Sequence, residues 1–182
     1  PGVNTIADGT AVKTPGSNIF PYIKKNLDDI ITVEDDELIV AFLDMVENHK
    51  MIVENSGLLT VAALKHLGVK DKRVVSILSG GNMDVITMSS VVQQGLIFRD
   101  RIFTVSVLLP DKPGELAKVS QTLADVQGNV IKLEHNQFVT TNRSAAVELR
   151  ITLECFGTEH KEQIIAALEK KGYKPRIVRT MI

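Results

Sequence analysis

Residues 102–116 read IFTVSVLLPDKPGEL, and this stretch decides the fold of the second half of the chain. Apolar and polar side chains alternate from Phe103 to Val107, which predicts a β-strand with one buried face. Pro113 suits the first turn of a helix, because the N–H that it lacks would be unbonded there. The stretch therefore predicts a strand, a short loop and a helix that opens at Pro113.

The residues that follow continue the same pattern of alternating strands and helices. The predicted helix carries an apolar stripe and ends at a glycine: Leu116, Val119, Leu123, Val126 and Gly128. The later elements are a strand at 130–137, a polar loop at 139–144, a strand at 147–155, a helix capped by Thr158 and ended by Gly172, and a strand at 176–178. Two βαβ-like halves with both helices on one face of the sheet make a ferredoxin-like βαββαβ domain.

The first part of the chain predicts a different layer, of the α/β class. Apolar runs of strand length occur at 29–33 and 74–78, and helical patterns occur at 38–46, 58–66 and 84–94. Strands separated by helices favour a parallel sheet, of which these residues would form a part. The character of the sequence changes between residues 95 and 101, so we expect two domains, 1–98 and 99–182.

The composition argues against several classes of partner. The net charge is −1 and the sequence has no run of Lys or Arg, so we expect no nucleic-acid partner. No apolar run approaches the ~20 residues that cross a bilayer, so we expect no membrane span. The one cysteine, Cys155, fits a reducing cytoplasm and continues the buried face of its strand. The four histidines have no metal-ligand spacing, so we expect no metal site.

The loop before the helix at Pro113 has the charges that a free amino acid requires. The N–H groups in the first turn of a helix lack intrahelical partners, and the helix dipole attracts an anion there. Gly114 leaves the backbone open to close approach, and Asp111 is an anion just outside the helix. An α-amino acid could place its carboxylate on the N–H groups and its ammonium on Asp111. The alternative is that Asp111 only caps the helix and that Pro113-Gly114 only shape the turn.

A pair of short motifs in this half resembles the ACT domain, the amino-acid-sensing module of metabolic enzymes. The motifs are DKPGEL at 111–116 and GNVI at 128–131, and the resemblance runs from about residue 101 to residue 182. It implies that an effector binds between the first loop and the start of the second strand, where two ACT domains meet side by side. The implied assembly is a homo-oligomer, and the implied effector contacts are Asp111, Gly114, Asn129 and Ile131.

Five motifs in the first part, in family order, resemble the end of the catalytic domain of pyridoxal-phosphate threonine dehydratases and serine racemases. They are TIADG at 5–9, DDI at 28–30, EDDE at 34–37, VENSG at 53–57 and LSGGN at 78–82. The resemblance implies part of a fold-type-II pyridoxal-phosphate enzyme. It also implies that Ser79 holds the pyridine nitrogen of the cofactor, and that Gly80 and Glu54 line the same end of its pocket.

Two other motifs of that family do not occur in this sequence. Family members bond the cofactor through a Lys in an S-x-K-x-R-G-like segment and hold its phosphate with a run of successive glycines. The longest glycine run here is Gly80-Gly81, and no Lys has the required context. We therefore expect the chain to be the last part of such an enzyme, with no catalytic residue of its own and no activity by itself.

The resemblances imply a lyase of the threonine dehydratase family, which converts threonine to 2-oxobutanoate and ammonia. The implied effector of the ACT domain is a branched-chain amino acid, isoleucine or valine. Two alternatives stay open. One is a non-catalytic amino-acid-binding dimer, and the other is an enzyme of the same cofactor family that acts on serine.

Overall fold

The computed structural model describes residues 4–137 and 147–181, and the polar loop predicted at 139–144 lies outside them. The chain forms two compact units, Pro1–Gly95 and Leu96–Ile182. Each unit has its own hydrophobic core. The domain limits expected from the sequence, 1–98 and 99–182, stay a prediction.

The first unit is built from short helices in its described residues. Its α-helices are α1 (Phe20–Asn26), α2 (Asp35–Asp44) and α3 (Leu59–Ala62), and α4 (Val85–Phe98) begins in it. 3-10 turns occur at Asp8–Thr10, Asn55–Leu58 and Ala63–His66, and a π-helical turn at Met45–His49 directly follows α2. The helix predicted at 58–66 is thus divided into an α-helical turn between two 3-10 turns.

Helix α2 provides the centre of the first core. Glu34 and Glu37 form a capping box, in which the side chain of each accepts a hydrogen bond from the backbone N–H of the other. The pKa of Glu37 is lowered to about 2 by three hydrogen bonds. The bond from Lys65 has the largest effect, followed by those from the Glu34 N–H and from His66. Glu37 is therefore charged at neutral pH, as the cap requires. The capped helix buries Phe42 completely.

The two strands predicted in this unit, 29–33 and 74–78, are not formed, and its described residues hold no β-strand. Val75 and Ile77 are 89% and 71% exposed, although their run of sequence is typical of a buried strand. A strand needs a neighbouring backbone that accepts and donates its hydrogen bonds. An apolar run alone does not supply that neighbour, so the prediction of these two strands is wrong.

The second unit confirms the predicted ferredoxin-like fold. Its elements follow the order β1 (Ile102–Leu109), α5 (Glu115–Asp125), β2 (Asn129–Asn136), β3 (Val147–Glu154), α6 (Thr158–Lys170) and β4 (Arg176–Val178). The four strands form one antiparallel sheet in the order β2-β3-β1-β4, so β2 and β4 are its edges. Gly172, with a φ of +87°, follows the end of α6, as the sequence predicts.

The alternation along β3 separates the two faces of this sheet. Its core-facing side chains are at most 2% exposed: Val147, Leu149, Ile151 and Leu153. They share one core with residues of both helices: Val119, Leu123, Ile164 and Leu168. Because side chains alternate along a strand, the polar residues between them face the other side of the sheet.

Both helices of the second unit begin differently from the prediction. Helix α5 begins at Glu115 rather than at Pro113, because Gly114 is its N-cap residue and has a left-handed φ of +89°. A right-handed helix does not pass through that conformation, so Pro113 lies in the preceding turn. Helix α6 has Gly157 as its N-cap residue. The Thr158 hydroxyl donates to Asp100 Oδ2 at 2.9 Å instead of capping the helix.

Two adjacent leucines of β1 give a test of the second core. Leu109 is 1% exposed, whereas Leu108 points to the opposite face and is 42% exposed. We expect Leu109→Ala to lower the free energy of unfolding by about 2–5 kcal/mol, since it leaves a cavity, and Leu108→Ala by less than about 1 kcal/mol. Denaturant-dependent amide exchange in β1 and β3 measures both. Equal losses for the two variants would contradict the register of β1.

Candidate functional site

The loop between β1 and α5 borders a surface depression in the second unit. Residues 109–116 form one wall, and His135, Gln137 and Val147 form the other. Two of the four predicted effector contacts, Asp111 and Gly114, lie in the first wall. The structure therefore brings the loop together with the C-terminal end of β2.

Gly114 sets the shape of the first wall. Its φ of +89° is one that residues with a side chain rarely adopt, and a Cβ built on it would meet no atom within 4 Å. The backbone conformation, and not a lack of space for a side chain, therefore explains why residue 114 is a glycine. Helix α5 starts immediately after it, and the N–H groups of a first helical turn lack intrahelical partners. The depression is therefore bordered by backbone donors that suit a carboxylate.

Charged side chains of both signs surround this depression. Glu115 pairs with Lys118 at 2.7 Å, and that contact raises the pKa of Lys118. Lys112 adds a cation to the wall. Within the described residues Asp111 is exposed and forms no ion pair.

The other two predicted contacts, Asn129 and Ile131, lie towards the opposite end of the sheet in the same chain. Asn129 pairs with Glu154 in the β2–β3 register, whereas the end of β1 at Leu109 pairs with Val147. At ~3.3 Å per residue, the start of β2 is about 20 Å along the strand from the depression. The Asn129 side chain donates to Glu154 Oε2 at 3.0 Å. One chain alone thus assembles half of the site predicted from the sequence.

His135 and Gln137 lie beside the loop, and sequence reasoning did not identify them. Antiparallel pairing of β3 with both β1 and β2 brings the C-terminal ends of β1 and β2 to the same end of the sheet. The signal that could have found them is the strand order of the ferredoxin-like fold. A motif that ends at residue 131 does not reach them.

A second group of predicted residues comes together in the first unit. The backbone N–H of Glu54 donates to the carbonyl of Gly80 at 3.1 Å, and Glu54 Oε2 accepts from the N–H of Asn82 at 3.2 Å. A Cβ built on Gly80 would lie 2.5 Å from Glu54 Cδ. A glycine at this position therefore lets the carboxylate lie directly against the backbone.

Two further contacts join the neighbouring motifs to this group. Asn55 Nδ2 donates to the carbonyl of Ile6 at 3.0 Å. A Cβ built on Gly57 would lie 3.3 Å from the backbone nitrogen of Gly80. The motifs TIADG, VENSG and LSGGN, which are distant in the sequence, therefore form one cluster.

Ser79 and two buried polar atoms indicate what this cluster can bind. Ser79 is exposed, and its hydroxyl has no hydrogen-bond partner among the described residues. Asn55 Oδ1 and Ser56 Oγ are buried and, within the same part of the chain, also lack partners. A free serine hydroxyl can bond the ring nitrogen of a pyridine, and the Glu54 carboxylate lies against the adjacent Gly80 backbone. These residues fit the pyridine end of pyridoxal phosphate.

Other candidate groups have a structural explanation. Residues 4–137 and 147–181 contain no group of three or more His, Cys, Asp or Glu side chains that could hold a metal ion. In the same ranges, no helix is both long enough and apolar enough to cross a membrane. Cys155 is buried, as the sequence predicts, and burial raises the pKa of its thiol, which makes it an unreactive core residue.

Comparison with known proteins matches a part of each unit to a family model. Residues 1–80 match the family model of pyridoxal-phosphate dependent enzymes, and residues 103–172 match the model of the ACT domain. Both matches agree with the geometry above, which has a cofactor-type cluster in the first unit and a ferredoxin-like sheet in the second. The two matches define a class of protein in which a pyridoxal-phosphate-dependent enzyme segment is followed by an ACT domain.

Within that class, the chain is similar to the threonine ammonia-lyases. The L-threonine ammonia-lyase of Geobacter sulfurreducens is 37% identical over 171 residues, which cover 93% of this chain and 42% of the relative. That of Thermotoga maritima is 34% identical over 178 residues, covering 97% and 44%. The biosynthetic L-threonine dehydratase IlvA of Pasteurella multocida is 31% identical over 175 residues, covering 94% and 33%. The chain spans less than half the length of each of these relatives.

Gly57 offers a test of the cofactor-type cluster. A Cβ on this residue would lie 2.9 Å from Val53 Cγ1 and 3.3 Å from the Gly80 nitrogen. We expect Gly57→Ala to lower the free energy of unfolding by about 1–3 kcal/mol, because the backbone at Gly80 must move. Gly16→Ala is the matched control, since a Cβ there meets nothing within 4 Å. We expect it to raise the free energy of unfolding by at most about 1 kcal/mol. Thermal unfolding measures both, and a Gly57 variant as stable as the unmodified chain would contradict the packing.

Proposed function

We propose that this chain is part of a threonine ammonia-lyase, which converts L-threonine to 2-oxobutanoate and ammonia, and that its ACT domain senses a free amino acid. The names of the similar relatives support the reaction, and the matched family supports pyridoxal phosphate as the cofactor. The observation that carries the sensing role is the depression that joins Asp111, Gly114 and the first turn of α5. The proposed location is the cytoplasm, which suits the free thiol of Cys155.

The depression suits the three parts of a branched-chain amino acid. The carboxylate accepts from the open N–H groups of α5, where the helix dipole contributes about 0.3–1 kcal/mol. The ammonium donates to Asp111, a charged hydrogen bond of about 1.5–3 kcal/mol. Leu116 lines the same depression and, at 38% exposed, offers an apolar surface to an aliphatic side chain. Isoleucine or valine is therefore the proposed effector.

In this proposal a second copy of the domain completes the effector site. Strand β2 is an edge strand, and Val130, Ile131 and Leu133 on it are 38%, 44% and 39% exposed. Two copies that pair their β2 edges around a twofold axis run antiparallel, so the start of one β2 lies beside the end of the other. Asn129 and Ile131 of the second copy then reach the depression beside His135. The twofold arrangement accounts for contacts that a single chain does not assemble.

In the first unit, Ser79 is proposed to hold the pyridine nitrogen of pyridoxal phosphate. When bound, this cofactor supplies an electron-withdrawing ring that favours loss of the α-proton and the β-hydroxyl of the substrate. A serine hydroxyl at the nitrogen leaves it largely unprotonated, which suits elimination of a hydroxyl. Glu54 and Gly80 line the same end, and the N–H of Asn82 holds the Glu54 carboxylate.

Removal of the Asp111 carboxylate tests the sensor. We expect Asp111→Ala to weaken the binding of isoleucine and valine about thirtyfold, equivalent to about 2 kcal/mol for the lost charged hydrogen bond. Isothermal titration calorimetry measures the affinity. Asp125→Ala is the matched control, because Asp125 lies near the far end of α5 and accepts a hydrogen bond from Gln121. Unchanged affinity in the Asp111 variant would contradict the site.

A mixture of two variants tests whether a second copy of the domain completes the effector site. Homodimers of Asp111→Ala and of Asn129→Ala lack one side of every proposed site. In a mixed dimer, one site joins an intact Asp111 to an intact Asn129, so about a quarter of all sites should regain full affinity after random exchange of twofold partners. A mixture that binds no better than the separate variants would exclude a site shared between copies.

The chain by itself is expected to be inactive. It has no lysine in the context that bonds pyridoxal phosphate in this family. After incubation with pyridoxal phosphate and reduction with borohydride, mass spectrometry should find modification spread over several lysines, with no single lysine fully labelled. Threonine should give no 2-oxobutanoate. One fully labelled lysine together with turnover would show that the chain holds its own catalytic centre.

A further inference from the structure

The face of the ACT sheet opposite the helices, here called the open face, is polar. The strand register places four of its residues in one row across all four strands: Lys132, Thr152, Thr104 and Val178. A second row lies beside the first: Glu134, Arg150, Ser106 and Arg176. The open face therefore carries hydroxyls at its centre and charged side chains around them.

The central hydroxyls of the first row form the floor of a second depression. Thr152 and Thr104 are only 4% and 6% exposed, and their hydroxyl oxygens lie 2.9 Å apart. The other side chains around this floor are Lys132, Glu134, Arg150, Val178, Arg179 and Met181. The floor is thus almost closed to solvent, although α5 and α6 pack on the opposite face of the sheet.

The charges that line the open-face depression do not cancel. The lining holds three cations, Lys132, Arg150 and Arg179, and one carboxylate, Glu134. With Glu148, which lies outside the lining and pairs with Arg150, the group has a formal charge of +1. Lys132 pairs with Glu134 at 3.0 Å. Arg179 has no ion-pair partner in the part of the chain that the structure describes. Arg179 is also exposed, so at least one cation at the rim is accessible from solvent.

The position of Arg150 is fixed by a carboxylate outside the depression. Glu148 Oε2 lies 3.1 Å from Nε of Arg150. The hydrogen bond from Ser106, followed by the contact with Arg150, lowers the pKa of Glu148, so this carboxylate is charged at neutral pH. Arg150 thus lines the depression while it is paired with a carboxylate outside it.

We infer that the open-face depression binds the phosphate group of a small molecule. A phosphate monoester carries a charge of about −1.5 to −2 at neutral pH and three acceptor oxygens, which suit the excess of cations and the several donors of the lining. The depression shares no lining residue with the effector depression at residues 109–116, so it is a separate site.

Titration of the 182-residue chain with inorganic phosphate and with O-phosphoserine tests this site. We expect saturable changes in the amide NMR shifts of Thr104, Lys132 and Thr152 with at least one of the two. Arg179→Gln should weaken binding about tenfold or more, since a charged donor is lost. The residue lies beyond the end of β4, so the sheet is retained. Arg176→Gln is the matched control, because Arg176 lies in the second row and outside the depression.

The possible outcomes separate a specific site from a general salt effect. Saturable binding that Arg179→Gln weakens and Arg176→Gln does not is the expected result, and the stronger probe distinguishes a free ion from an ester. Non-saturable shifts that chloride reproduces at equal ionic strength would overturn the inference. Equal weakening by the two arginine variants would overturn it as well. Isoleucine added to the same sample should shift amides around residues 109–116, so the two sites are tested independently.

Discussion

Strand β3 is the constraint on which the rest of the second unit depends. It lies between β1 and β2 and bonds with both, so neither of its edges is free. Its register sets Leu109 beside Val147 and Asn136 beside Glu148. The ends of β1 and β2 therefore meet at one end of the sheet. The loop after β1 and the last residues of β2 border a common depression because of this register.

The same strand determines the chemistry of both faces of the sheet. Leu149 and Ile151 are fully buried against the helices, while Arg150 and Thr152 line the depression on the open face. Because side chains alternate with a period of two, a slip of one residue would put charged groups into the core. Burial of each large aliphatic side chain contributes about 1.5–3 kcal/mol, so the core holds the register. The polar face can therefore bind a ligand without having to stabilise the fold.

The fold of the second unit can be predicted from the sequence because its hydrophobic patterns are local. Prediction fails where the structure depends on contacts between residues that are distant in the sequence. The alternation along β3 can be read from neighbouring residues alone. The left-handed φ of Gly114 is not visible in a motif where Pro113 suits a first helical turn, so the start of α5 is misplaced. Strand pairing, and not proximity in the sequence, brings His135 into the depression with Asp111. The run at 74–78 fails for the same reason, since no partner strand pairs with it among the described residues.

In the first unit, packing explains some residues of the motifs and leaves others unexplained. Gly57 and Gly80 are required by close contacts, so the fold alone explains them. Glu54 is explained in part by its bond from the N–H of Asn82. Ser79 differs from these residues, because it is exposed and its hydroxyl has no partner among the described residues. The described packing therefore does not explain a serine at that position, whereas the proposed contact with the cofactor does.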